Sequence, residues 1–252
     1  MATIAGQILN AFLYLAYIRR FKSIKLEKES FRISVKVMAK VSSLGISSFI
    51  TQIAIVLVMA VTNNILVSYG AQSEYGAEIP LTTIGITMKV NQIVSAVLLG
   101  LATGAQPIFG YNYGSGQKDR VKKAYRIIVT ASTVMLILAF FVFQFAPMSI
   151  VRLFGSESEM YNEFAVKCFR IFLLACPING LQMATGIFFQ AIGKPTQATV
   201  LSLSRQIVYL LPATILLPMA LGVEGALWAG PLADVLAFIT TLVMLKLYWK
   251  KI

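Results

Sequence analysis

The sequence predicts an all-α polytopic membrane protein with about seven transmembrane helices. Three observations carry that reading: 58% of the 252 residues are hydrophobic, only 13% are charged, and the mean hydropathy is +0.77. A soluble domain is about 25% charged and about 45–50% apolar, so a soluble globular enzyme is excluded. The chain has no histidine, which also excludes histidine catalysis and histidine-ligated metal. The net charge is +12, from 22 Lys and Arg against 10 Asp and Glu. In a soluble protein that surplus would suggest nucleic acid. Between apolar runs it predicts cytoplasmic loops beside anionic lipid, with the bilayer as partner and no nucleic acid.

A helix needs about 20 mostly apolar residues to cross a bilayer. Seven runs are candidates: 1–18, 42–69, 81–107, 124–146, 164–192, 198–218 and 225–246. The first is short, and no cleavage site precedes Arg19-Arg20, so it does not read as a signal peptide. Pro177, Pro212 and Pro231 lie inside runs. Each removes a backbone donor and clashes one turn back, so these helices should bend. Broken helices commonly border the substrate path in transporters. Cys168 and Cys176 fall on one run, two helical turns or about 12 Å apart, too far for a disulfide. They read as buried packing residues.

Loop charge orients the helices. Residues 19–40 carry eight basic side chains, residues 108–126 carry five, and Lys194, Lys246, Lys250 and Lys251 bring that side to 17. The opposite loops, 70–80, 147–163 and 219–224, hold only Arg152 but carry Glu74, Glu78, Glu157, Glu159, Glu163 and Glu224. The positive-inside rule makes the basic side and the C-terminus cytoplasmic. The first helix then starts outside, which suggests that further chain precedes it. Residues 19–40 alternate basic with apolar side chains. They read either as an amphipathic helix on the inner membrane face or as a solvated linker, and mark the plausible unit boundary.

Four ionisable residues, Lys89, Arg170, Arg205 and Asp234, fall well within apolar runs. Each costs roughly 2.5–3.5 kcal/mol at a helix centre, so each should face protein or a wet cavity. Asp234 lies nine residues from the outer end of its run and Lys89 eight, or about 14 Å and 12 Å deep. These two can meet; Arg205, about 10 Å from the inner side, must lean outward to join them. They form either a water-lined pathway whose charges change partner or a fixed ion pair. The amides Asn63, Asn64, Asn91, Gln92, Asn179, Gln182 and Gln190 lie in or near spans, where they bind substrate or hydrogen-bond neighbouring helices. Small residues at 42–48 and at Gly100 and Gly104 permit close helix crossings.

Residues 110–118 superficially suggest a phosphate loop. The required Gly-Lys-Ser/Thr is absent and no strand precedes them. The glycines more simply allow a cytoplasmic turn before a helix starting near Gln117. No nucleophile–base pair, metal spacing or paired carboxylate site is found.

Four stretches together carry a resemblance. Residues 100–114 end a small-residue helix in Gly104-Ala105-Gln106-Pro107, followed by Gly110-Tyr111-Asn112-Tyr113-Gly114 and a basic helix. Phe188-Phe189-Gln190-Ala191-Ile192-Gly193-Lys194-Pro195, Leu201-Ser202-Leu203-Ser204-Arg205-Gln206 and the stretch from Gly225-Ala226-Leu227-Trp228 to Pro231 and Asp234 follow in order. The pattern resembles the multidrug and toxic compound extrusion (MATE) family. That family has twelve helices in two six-helix lobes. The resemblance implies that 1–18 is the sixth helix, 19–40 the interlobe linker and 41–252 a six-helix C-lobe. It implies a Na+- or H+-coupled antiporter of small amphipathic or cationic substrates in the cell (inner or plasma) membrane, working with an N-lobe by alternating access. No cofactor is implied beyond the coupling ion.

Some branches of that family place cation-binding acids on the seventh and tenth helices. Here those helices carry Asn63-Asn64 and Asn179 with Gln182, which moves the expected ion site to the N-lobe. Asp234, Arg205 and Lys89 are then the expected polar core, with Arg170 as a further buried cation. Gln106-Pro107 shapes the cytoplasmic end of the eighth family helix. Two alternatives stay open: a half-size homodimeric transporter, and a flippase-like exporter of lipid-linked or anionic amphipathic substrates.

Overall fold

The computed structural model describes residues 2–19, 34–155 and 158–249, and these are nearly all helical, with no strand among them. The chain divides into two units, Met1–Ser43 and Leu44–Ile252. In the first unit, α1 (Ala2–Arg19) holds a short apolar stretch, Ile4–Tyr17. Its side chains, Ile8, Phe12 and Leu15 among them, are exposed all round. Of the basic segment 19–40, residues 20–33 lie outside the described residues, as do Glu157, Lys250 and Lys251. Residues 35–40 already belong to α2 (Val35–Gly70).

The second unit continues through α3 (Glu78–Gly104), α4 (Gln106–Gly114), α5 (Lys118–Phe145), α6 (Pro147–Phe154), α7 (Glu159–Phe172), α8 (Cys176–Ala191) and α9 (Pro195–Leu203). A π-helical segment, Ser204–Leu210, then leads into α10 (Leu211–Leu221) and α11 (Val223–Trp249). Five stretches are long and apolar enough to span a bilayer: Phe49–Gly70, Glu78–Gly114, Lys118–Phe145, Pro195–Leu221 and Val223–Trp249. The pair α7–α8, bent by 49° at its break, makes a sixth. Together with the shorter α1, these match the seven apolar runs in the sequence.

Burial explains why the solvent must be lipid. In four of the five spans only 17–22% of the apolar window is buried by other helices; α11, with 44%, is the central helix. Ile127, Val134, Leu138, Phe141 and Phe145 on α5 all face outward. Apolar exteriors this extensive cost about 25 cal/mol per Å² in water and nothing comparable in hydrocarbon.

Three apolar clusters hold the second unit together. One gathers Phe109, Val121, Tyr125, Phe188 and Phe189 near the basic ends of the helices. A second packs Leu98, Leu136, Phe143, Phe169 and Cys176, and a third packs Leu66, Tyr75, Ile84, Phe164, Cys168 and Leu227. Both cysteines are buried and free, but they sit on two helices separated by the α7–α8 break rather than on one.

The three prolines act in three ways. Pro177 opens α8 after a tight turn in which Leu174, Cys176 and Ile178 each bond the carbonyl three residues back. Pro212 cannot donate to Val208, and the Leu211 N–H bonds the Gln206 carbonyl five residues back, leaving the segment before it π-helical. Pro231 is accommodated inside α11, which runs as one helix.

The glycines correct the expected packing sites. Gly100 and Gly104 face open space, with nothing within 4 Å of a built Cβ. The close crossings occur at Gly180, where a Cβ would stand 3.2 Å from Leu136 and Ser132, and at Gly225, against the Leu217 backbone. The loop 147–163 holds a short helix, α6, that buries Val151 and exposes Leu153.

Candidate functional site

The cavity begins with a helical stripe. The break before Pro177 sets α8 so that Asn179, Gln182, Met183, Gly186, Ile187 and Gln190 recur every three or four residues along one face. Asn91, Ser95, Leu98 and Leu99 do the same on α3. Ala198, Leu201 and Ser202 from α9, with Arg205 and Gln206 from the π-helical segment, complete the wall. The cavity, open on one side, has a volume of about 320 Å³, at the small end of ligand pockets, which run from about 300 Å³ upward. It lies where the first and second apolar clusters meet, since Leu201 and Ala198 belong to one and Leu98, Leu136 and Cys176 to the other.

A smaller chamber of about 30 Å³ adjoins it, sharing Asn91, Cys176, Asn179 and Arg205 and bordered by Asp234. Arg205 Nε and an Nη meet Asp234 Oδ1 at 2.7 and 2.6 Å. Asn179 Nδ2 donates to Asp234 Oδ2 at 2.9 Å. The Asp234 side chain is 5% exposed and that of Arg205 26%. The carboxylate is therefore fully engaged by a cation and an amide. Asn179 Oδ1 is buried with no hydrogen-bond partner among the described residues.

Three sequence expectations change here. Lys89 does not meet Asp234: it is exposed on α3, with no ion pair among the described residues. The π-helical segment brings Arg205 to the carboxylate instead. Arg170 is exposed and lies on the α5–α7 contact, where its Nε donates to the Gln144 carbonyl at 3.2 Å and Gln144 Nε2 donates to the Arg170 carbonyl at 2.9 Å. Asn63 and Asn64 are exposed on α2 and line neither cavity. Asp234, Arg205, Asn179 and Gln182 do converge. Gln106 and Pro107 open α4, whose Phe109 packs edge-on against Phe188 at 5.3 Å, while a Cβ on Gly110 would stand 3.4 Å from the Ala191 carbonyl oxygen and Gly114 faces open space.

Some functional candidates were missed. Ser95, Ser202 and Gln206 reach the cavity, and their one signal was spacing: Ser95 follows Asn91 by four and Ser202 follows Ala198 by four. Lys167 was also passed over. It bonds Glu224 at 3.1 Å and the Tyr75 hydroxyl at 3.3 Å, lies 3.8 Å from Glu163, and stands over the Tyr75 ring. The Glu163–Lys167 spacing of four was the available clue. Lys167 and Glu224 are 39% and 42% exposed, so Lys167→Met is expected to cost about 1 kcal/mol or less. Thermal unfolding in detergent checks this; loss of folded protein would show a larger structural role.

A bundle of bilayer-length helices around a partly polar cavity is the architecture of membrane transport proteins. The MatE family model matches residues 47–215, about two thirds of the chain, and the chain belongs to that family. The multidrug export protein MepA of Staphylococcus haemolyticus (strain JCSC1435) is 22% identical over 97% of this chain and 52% of its own length. The MATE multidrug transporter DinF-BH, solved in complex with R6G, is 30% identical with a TM-score of 0.76, covering 97% of this chain and 52% of that one. An outward-facing multidrug resistance MATE transporter of the MOP superfamily superposes with a TM-score of 0.83 at 18% identity, over 98% of this chain and 54% of that one. The chain thus spans about half the length of the relatives it matches.

Proposed function

We propose that the chain forms the C-terminal half of a cation-coupled multidrug efflux antiporter, moving small amphipathic or cationic compounds by alternating access against an N-terminal lobe. The observation that carries the reading is the amide-lined cavity between the two apolar clusters, built on a family fold whose relatives are named multidrug export proteins. Residues 1–18 then serve as the sixth family helix, 19–40 as the interlobe linker and 41–252 as the C-lobe. Asp234 is held by Arg205 and Asn179, and among the described residues the larger cavity has no carboxylate on its wall. Those features support a Na+ or H+ site in the N-terminal lobe.

The test is dye uptake into inside-out vesicles containing the chain together with an N-terminal lobe, driven by an imposed Na+ or H+ gradient. Gradient-dependent uptake is expected with both lobes and none with this chain alone. Coupled uptake by the chain alone would overturn the two-lobe reading and favour a homodimer.

One observation favours a second substrate class. Among the described residues, Arg205 is the only ionisable residue on the larger wall apart from the Cys176 thiol; its guanidinium has N–H donors beyond the two directed at Asp234, and these suit an anionic amphipathic substrate or lipid headgroup. Competition by anionic lipids for dye uptake distinguishes the two.

The proposed orientation has its own test. With the C-terminus cytoplasmic, maleimide should label Gln72→Cys from outside intact cells and Lys118→Cys only after permeabilisation. Equal labelling of both from one face would overturn the orientation.

A further inference from the structure

Two half-buried lysines at the basic ends of the helices have no anionic partner. Lys122 lies in the first two turns of α5 and Lys194 in the turn between α8 and α9, and neither makes an ion pair among the described residues. Each stands instead over an aromatic ring in the last turn of α11. Lys122 Nζ is 6.0 Å from the centroid of the Trp249 ring, and Lys194 Nζ is 5.1 Å from that of Tyr248. A ring face attracts an ammonium group without neutralising it, and each ammonium has three N–H donors to offer an oxygen acceptor.

The rings and one of the lysines are held in place. Trp249 packs on Tyr125 at 5.2 Å; Tyr248 meets Phe189 edge-on at 5.7 Å and accepts from Gln197 Nε2 at 3.5 Å. The Lys194 N–H bonds the Phe189 carbonyl at 2.8 Å, across a turn that Gly193 closes with a φ of +76°. Three elements therefore present two cations over consecutive residues of one helix end. The surrounding charge has one sign: residues 118–126 carry five Lys and Arg against Asp119 alone.

We propose that Lys122 and Lys194, over the Trp249 and Tyr248 rings, form a docking site for the headgroup of an anionic glycerophospholipid. The phosphate oxygens accept from the ammonium groups, and the rings sit at headgroup level, as Trp and Tyr do at bilayer interfaces. The acyl chains follow the apolar exteriors of α5 and α11, where Ile127 and Val243 are exposed. A zwitterionic lipid brings a cation of its own, which this end of the bundle repels; an anionic lipid does not. The site shares no residue with the wall of the larger cavity, so it stands independently of what that cavity carries.

The experiment uses the full chain with Trp228→Phe, which leaves Trp249 as its one tryptophan. The chain is reconstituted in phosphatidylcholine vesicles, and the lipid is replaced stepwise by brominated phosphatidylglycerol or brominated phosphatidylcholine. Bromine quenches tryptophan on contact, so the quenching curve of Trp249 reads the relative affinity of each lipid at this site. Phosphatidylglycerol is expected to be preferred about tenfold. Lys122→Gln combined with Lys194→Gln should reduce that preference to less than about twofold. Lys123→Gln combined with Lys246→Gln removes the same charge from exposed positions on α5 and α11 and should leave most of the preference intact. Equal quenching by the two lipids before any lysine is changed overturns the inference. So does an equal loss in the two double variants, since the lipid is then gathered by diffuse charge. Displacement of the lipid by an equal concentration of soluble glycerophosphoglycerol also overturns it, because a free phosphate is then the ligand. If the double variant at 122 and 194 does not fold, the single variants decide, each expected to cut the preference about threefold; no change in either overturns the site.

Discussion

Asp234→Ala is expected to lower the unfolding free energy by about 3 kcal/mol, because it strands the Arg205 guanidinium among apolar helices. Losing one partner of a buried pair costs about 3–5 kcal/mol. The low end applies because Arg205 keeps 26% of its side chain exposed. The double variant Asp234→Ala with Arg205→Met should recover much of the loss, since no charge remains unpaired. Denaturation of the three variants in one detergent measures this. A cost for Asp234→Ala below about 1 kcal/mol would mean that Arg205 finds water and the pair contributes little. In a two-lobe transporter, Asp234→Asn is expected to reduce export more than it reduces the amount of protein at the membrane. Unchanged vesicle efflux would leave the pair a purely structural feature.

The second large effect is expected at Gly225. The chain reverses at Gly222, whose φ of +60° favours glycine, and α11 returns directly against α10. A Cβ on Gly225 would run into the Leu217 carbonyl group and stand 2.6 Å from the Pro218 nitrogen. These are backbone atoms, so relief requires the helical hairpin to open. Gly225→Val should therefore destabilise the chain by about 3 kcal/mol or more, visible as loss of monodisperse protein after detergent extraction. Gly100→Ala is the matched control: its site is open, and removing a helix-interior glycine gains up to about 1 kcal/mol of helix propensity. Equal behaviour of the two variants would refute the close crossing at Gly225.

The bilayer-length helices and their order followed from the sequence, because twenty consecutive apolar residues satisfy hydrocarbon wherever the helix later packs. The polar core was legible only in part. Asp234, Arg205, Asn179 and Gln182 announced themselves as polar groups in apolar runs, and the cost of isolating such groups requires them to find partners. Which partners they find depends on rotation about each helix axis. Counting depth along straight helices gave Lys89 the same level as Asp234, yet depth does not specify azimuth, and Lys89 faces outward. Gly100 and Gly104 misled for the same reason, since small residues permit a crossing without saying which face meets another helix.

Composition and charge alone thus determined that the chain is a stack of membrane helices, because transfer into lipid depends on residue type and is insensitive to packing. Only the tertiary structure decided that the break before Pro177 aims Asn179 inward, and that the π-helical segment before Pro212 brings Arg205 to Asp234. Those choices depend on distortions of the backbone ladder, and a distortion is resolved by the helices packed around it rather than by the residues that start it.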